Sequence, residues 1–344
     1  MLFGETPVAA AEGAILVHTL RAGDRTLKKG SFLDADAVRA LADAGFASVV
    51  TARLEPGDLS ENEAAAAVGA ALVSETVRSS RVSTGRCNLS AVVHGVVQID
   101  RAAIDRANRV CEDVTLSTVQ PFTVVEADDL VATVKIIPFG VAGAAVNAVA
   151  EALVGEHPAI SVAPFRGIPV GLLQTRLPGT MDRVLEKTVV TTEGRVTALG
   201  SPLAREIRCD HDREAIARGL QKLRDAGCGL IIVIGASAIV DRRDVVPTAI
   251  ESLGGTIRHL GMPVDPGNLT LLAGWDGLPV LGFPGSARSP RLHGCDWVLQ
   301  RLLAGIQVTG EDIMGMGVGG LLKEMPGRPM PRMKAVQADA ADEG

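Results

Sequence analysis

No tyrosine occurs among the 344 residues, and two tryptophans and seven phenylalanines bring aromatics to only 3%. Single-stranded nucleic acid is held largely by bases stacked on aromatic faces, so that partner class is not expected. Charge offers no substitute. The net charge is −6, half of it from Asp339, Asp342 and Glu343, and no broad basic surface remains to neutralise a phosphate backbone. No apolar run reaches the roughly 18 residues of a membrane span. The opening MLFGETPV lacks a basic stretch followed by an apolar one, so no secretion leader is expected. The five cysteines, Cys87, Cys111, Cys209, Cys228 and Cys295, never stand as CxxC, which argues against a disulfide framework or a structural zinc site. A reduced, soluble, cytoplasmic protein is the expectation.

What is present suits a packed globular chain. Hydrophobic residues make up 47% and charged residues 22%, and the length allows two domains at roughly 100–200 residues each. Residues 1–167 read as an elongated, mixed α/β N-terminal part: a strand at 14–20, a helix at 34–44 after an Asp34 cap, a strand at 47–54, Ala-rich helices at 61–72 and 141–154, and a strand at 131–138. Residues 57–130 are open to forming a lobe of their own. The Ala-rich helices suit a partner surface, as in a homo-oligomer, or the core.

From residue 168 the pattern turns to regular alternation. Strands are expected at 170–174, 203–209, 230–234 and 278–283, and helices at 181–199, 213–226, 245–253 and 290–303. LIIVI at 230–234 has the composition of a central strand covered on both faces. The fold expected for 168–305 is a doubly wound, mostly parallel α/β sheet. Residues 306–344, rich in Gly, Met and Pro with an acidic end, read as a tail.

Two loops carry the chemistry. Ile234-Gly235-Ala236-Ser237 follows the LIIVI strand, and Asp241-Arg242-Arg243-Asp244-Val245-Val246-Pro247 leads into the next helix. Small residues beyond the carboxyl end of a parallel strand let backbone N–H groups approach an anion. The same stretch also reads as a capped loop, with Asp244 as N-cap and Pro247 in the first turn. The second loop, Phe283-Pro284-Gly285-Ser286-Ala287-Arg288-Ser289-Pro290, offers two hydroxyls and a guanidinium that suits two phosphate oxygens. It reads equally as a plain strand-to-helix turn. Asp210-His211-Asp212 stands just before a helix, where Asp caps are ordinary, and Lys135 reads as a snorkelling strand lysine.

GASAIVDRRDVVP after a strand, then Val264-Asp265-Pro266-Gly267-Asn268, then FPGSARSP resembles the molybdenum-cofactor biosynthesis domain, most specifically over 230–290. Arg242-Arg243-Asp244-Val245 with Pro247 is similar to the molybdopterin adenylyltransferase branch. Pro266-Gly267 followed by FPGS, with the long N-terminal part, is similar to the molybdopterin molybdotransferases. The resemblance implies molybdopterin or adenylyl-molybdopterin as ligand. Gly235, Ala236 and Ser237 would cradle its phosphate, with Pro284, Gly285, Ser286, Arg288 and Ser289 on the opposite wall. Thr175, Arg176, Pro178 and Gly179 would complete the rim. It implies Asp244, with Asp241 as rival, as the catalytic acid, with Asp244 holding Mg²⁺, and molybdate as a substrate. It also implies other molybdenum-cofactor enzymes as partners.

Departures from the pattern accompany the matches. The second turn glycine of the family is Ala236, and its Thr-Gly-Asp-like acidic stretch reads Gln174-Thr175-Arg176-Leu177-Pro178-Gly179. Asn268 stands where a lysine is usual, and no Asp-Gly-Tyr-Ala motif occurs; its nearest counterpart, 85–91, carries no carboxylate. Matches and departures together suit three functions: a transferase inserting molybdate, a non-catalytic carrier of the cofactor, and a nucleotide-hydrolysing relative.

Overall fold

The computed structural model describes residues 1–322. The described residues divide into two compact units, Met1–Phe165 and a second that begins at Arg166.

The first unit is mixed α/β, and every strand pairing in it is antiparallel. Leu2–Pro7, Ser48–Arg53 and Ile15–Leu16 form one sheet, whose core includes Leu16, Leu33 and Leu41. A larger core spans residues 64–162 and joins the helices Glu61–Ala71, Arg101–Asn108 and Gly143–Ala152 to strands such as Arg86–Ala91 and Leu130–Ile136. The Ala-rich helices bury Ala64, Ala65, Val68, Val146 and Val149 in that core. Val141 opens the second of them in sequence but lies in the short strand Gly140–Ala142, so the helix starts at Gly143. Lys135 donates from Nζ to the Thr84 carbonyl at 2.6 Å.

In the second unit, strands and helices are numbered from its start: β1 (Val170–Arg176), α1 (Asp182–Thr197), β2 (Leu203–Asp210), α2 (Arg213–Asp225), β3 (Leu230–Ile234), α3 (Val245–Ser252), β4 (Thr256–Leu260), β5 (Leu271–Trp275), β6 (Leu278–Phe283) and α4 (Gly294–Leu303). They build a six-stranded sheet of order β2-β1-β3-β6-β5-β4. The first four run parallel, and β5 and β4 add antiparallel. The sheet is thus mostly parallel, with an antiparallel edge that the alternation pattern did not anticipate. Asp276 and Gly277 both take positive φ and turn β5 directly into β6, the Asp-Gly chemistry of a tight hairpin.

All five residues of β3 are buried, as a strand covered on both faces requires. Leu173, Ile231 and Val233 pack with Ile216 and Leu220 of α2 and Val246 and Ile250 of α3. Gln174, the next residue on β1, reaches α1 instead, donating to the Leu185 carbonyl. Among the described residues after Gly305, Gly310–Met314 is a short helix opened by a Thr309–Asp312 capping box, and Val308, Ile313 and Met316 are buried. The sequence reading gave this stretch to the tail; its remainder lies outside the described residues. No helix among the described residues is long and apolar enough to cross a membrane.

Candidate ligand-binding site

Strand register sets the site. Gln174 pairs with Ile234, and Ile234 pairs with Phe283, so the carboxyl ends of β1, β3 and β6 stand level. The loops beginning at Thr175, Gly235 and Pro284 therefore leave the sheet side by side, where parallel sheets bind ligands.

Arg288 joins all three. Its guanidinium donates to Gln174 Oε1 at 3.1 Å, to Thr188 Oγ1 of α1 at 2.6 Å and to the Gly235 carbonyl at 3.3 Å. Half-burial lowers its pKa, as desolvation does for any cation. Behind it, Arg195 of α1 and Asp296 of α4 form an ion pair at 2.8 Å with both side chains only 9% exposed. The same guanidinium donates to the carbonyls of Ala287, Ser289 and Arg291, fixing the path of the Pro-Gly loop. Gly285–Arg288 is a 3-10 turn, and α4 begins only at Gly294, four residues later than the sequence pattern places it.

A groove of about 610 Å³ opens between this loop and the first turns of α1, lined by Arg183, Val184, Lys187, Gly285, Ser286, Arg288 and Ser289. Arg183 and Lys187 are four apart on one helix face, exposed, and without a carboxylate partner among the described residues. Three cations and two hydroxyls thus meet with no acid between them. α1 adds an N-terminus without a side-chain cap, and its macrodipole favours an anion nearby. Arg183 and Lys187 escaped the sequence reading because helix patterning weighs apolar positions and treats exposed basic residues as solvated.

A second groove, of about 490 Å³, lies beyond the ends of β1 and β2, lined by Arg176, Leu177, Pro178, Gly179, Thr180, Asp210, His211 and Asp212. Arg176 pairs with Asp210 at 3.3 Å, and Asp212 caps α2 through the Ala215 N–H. The buried Thr175 hydroxyl stands 2.7 Å from His211 Nδ1 and accepts the Ala236 N–H at 2.8 Å.

The remaining expected residues divide. Gly235 is buried, and a Cβ there would sit 2.5 Å from the Ser237 carbonyl oxygen, so the tight turn needs glycine. The Ala236 N–H is used by Thr175, while Ser237 is exposed and, among the described residues, its hydroxyl reaches only the neighbouring Ala238 carbonyl. Thr175, Gly235, Pro284 and Arg288 come together at the strand ends; Gly285, Ser286 and Ser289 line the first groove, and Arg176, Pro178 and Gly179 line the second. Asp244 caps α3, with Oδ1 accepting from the Val245 N–H at 2.8 Å and Oδ2 from the Val240 N–H at 3.4 Å. Asp241 is held bidentate by Arg243, which lowers its pKa to about 2.

These commitments bear on Mg²⁺. Both Asp241 oxygens face a guanidinium and both Asp244 oxygens face backbone N–H groups. No group of three His, Cys, Asp or Glu side chains suited to a metal occurs among the described residues. The donor set does not fit a resident divalent ion.

No protein-family model matches the chain, and no curated protein matches it. Among solved structures it is similar to a molybdopterin biosynthesis MoeA protein from Pyrococcus horikosii, at 12% identity over 92% of this chain and 76% of that one, with a TM-score of 0.27. It is also similar to a tungsten cofactor synthesizing protein MoaB from Pyrococcus furiosus, at 14% identity over 39% of this chain and 90% of that one, with a TM-score of 0.28.

Proposed function

We propose that this protein binds molybdopterin or its adenylylated form in molybdenum-cofactor biosynthesis, holding the anionic end of the ligand in the groove between α1 and the Gly285–Ser289 loop. The observation that carries the reading is the convergence of Arg183, Lys187 and Arg288 on one groove with Ser286 and Ser289 and no carboxylate. A guanidinium and an ammonium supply charge-assisted hydrogen bonds to phosphate oxygens, and the hydroxyls supply orientation. The resemblance of GASAIVDRRDVVP and FPGSARSP to the molybdenum-cofactor biosynthesis domain supplies the identity of the ligand. On the transferase reading, molybdate enters as a substrate at the same groove.

A carrier function is the second reading, favoured by the engagement of Asp241 with Arg243 and of Asp244 with the α3 cap. Neither carboxylate is left poised for acid–base work. Titrating the protein with molybdopterin and following pterin fluorescence tests the shared claim: saturable quenching is expected, and a flat titration contradicts both readings. Molybdate insertion then separates them. Turnover that Asp244→Asn abolishes without loss of pterin affinity supports the transferase, and no turnover in the wild type supports the carrier.

A further inference from the structure

We infer that His211 is a ligand-contacting hydrogen-bond donor and that its groove receives the uncharged heterocyclic end of the guest; this rests on the pterin reading above. Thr175 has a fully buried hydroxyl with one proton and two lone pairs. One lone pair takes the Ala236 N–H. The other partner is His211 Nδ1 at 2.7 Å. A proton on Nδ1 would leave the Thr175 hydroxyl proton buried with no acceptor among the described residues, which buried polar groups avoid. Thr175 therefore donates to Nδ1, and the neutral ring carries its proton on Nε2. That N–H has no protein partner among the described residues, and the ring lines the 490 Å³ groove.

The chemistry of the two grooves divides the guest between them. The first holds cations without acids. The second sets the donors Arg176 and His211 beside the carboxylates of Asp210 and Asp212. Those carboxylates repel a phosphate, but they accept from N–H groups on a heterocycle whose carbonyl takes the His211 proton. A 2-amino-4-oxopteridine edge has this make-up, with the amino group and the N3–H as donors beside one carbonyl. Thr180 of one groove and Arg183 of the other are three residues apart, at most about 11 Å between Cα atoms, a separation within the length of one elongated guest. Thr175 also ties the His211 contact to the loop after β3 through Ala236.

Two probes test this on the full chain: neopterin, a pteridine without phosphate, and inorganic pyrophosphate. Side-chain ¹H–¹⁵N correlation spectra of the ligand-free protein are expected to show His211 as the Nε2–H tautomer, and Thr175→Val is expected to mix the tautomers; an Nδ1–H ring in the wild type overturns the inference. Neopterin is expected to shift the His211 Nε2 resonance and to bind His211→Phe about tenfold more weakly, the effect of one hydrogen bond. His211→Gln, which keeps a donor, is expected to retain most of the affinity, and pyrophosphate affinity is expected to change less than about twofold in either variant. Failure of neopterin to bind, or equal loss of both probes in His211→Phe, overturns the assignment of this groove. Loss of pyrophosphate binding alone in the wild type strikes the functional reading instead.

Discussion

The Arg288 guanidinium donates to the Gly235 carbonyl oxygen at 3.3 Å, so a side chain from the loop after β6 holds down the loop after β3. The two segments that the sequence marks as chemical are thereby parts of one edge. The same contact means that Arg288 is both lining and scaffold, and the two roles have different experimental signatures.

Arg288→Ala removes a groove cation and three protein hydrogen bonds. Pterin affinity is expected to fall by about 1.5–3 kcal/mol, the range for hydrogen bonds to charged groups, together with a lower melting temperature. Lys187→Ala removes only an exposed cation, so affinity is expected to drop by about 1 kcal/mol with the melting temperature unchanged. Calorimetric titration and thermal unfolding of both variants, at low and high salt, check the contrast; the Lys187 effect should shrink as salt screens it.

Arg195 and Asp296 make the buried ion pair of this unit. Replacing Asp296 by Ala leaves the guanidinium charge without its carboxylate, and urea denaturation is expected to show a loss of about 3–5 kcal/mol. A loss below 1 kcal/mol would mean that water reaches Arg195 freely.

Asp241 carries the opposite expectation. Arg243 holds its folded pKa at about 2, below the ordinary 3.8, so the pair favours the folded chain above pH 3.8 and that contribution is lost as pH falls toward 2. Because the pair is exposed and screened by solvent, that contribution is small, and Asp241→Asn is expected to lower stability at neutral pH only slightly. Pterin binding between pH 5 and 8 should show no step that this substitution removes, as a titration series of both proteins would establish.

The thiols should react unequally. Cys87, Cys228 and Cys295 are buried, and burial raises all three. Cys209 is partly exposed, yet burial and the nearby Asp212 and Asp210 push its pKa to about 11. The thiolate is the nucleophile. Alkylation of the native protein at pH 8, read by mass spectrometry, is expected to modify Cys111 first and Cys209 only as the pH approaches 11.

Much of the second unit was legible because its signals are local. LIIVI marks a fully buried strand, Asp212 and Asp244 mark helix starts, and the small-residue and Pro-Gly turns mark strand ends. The antiparallel edge was missed although Asp276-Gly277 announces a hairpin, because the strand–helix rhythm places one strand, 278–283, after the helix at 245–253 and none at 256–260 or 271–275. The delayed start of α4 has a cause distant in sequence: Arg195, about 90 residues upstream, holds the carbonyls of 287–291 in a non-helical path. His211 read as a cap neighbour for a similar reason. Its partner Thr175 lies 36 residues away, and only the parallel register that sets Thr175 against Cys209 and Arg176 against Asp210 brings the two side chains together.

Gly235→Ala tests the turn itself. The added methyl meets the Ser237 carbonyl oxygen at 2.5 Å, so the loop must shift, at an expected cost of about 1–3 kcal/mol in stability and with weaker pterin binding. Thermal unfolding beside a pterin titration checks both effects.

The most direct measurement is molybdopterin affinity, by pterin fluorescence, in wild type and in the charge-reversed double variant Arg183→Glu, Lys187→Glu. These residues are exposed on α1, so the variant is expected to fold as the wild type does. Saturable binding in the wild type with at least a hundredfold loss in the variant, about 2.7 kcal/mol, is the predicted result. Equal affinity in the two proteins would contradict the claim that this groove holds the anionic end of the cofactor.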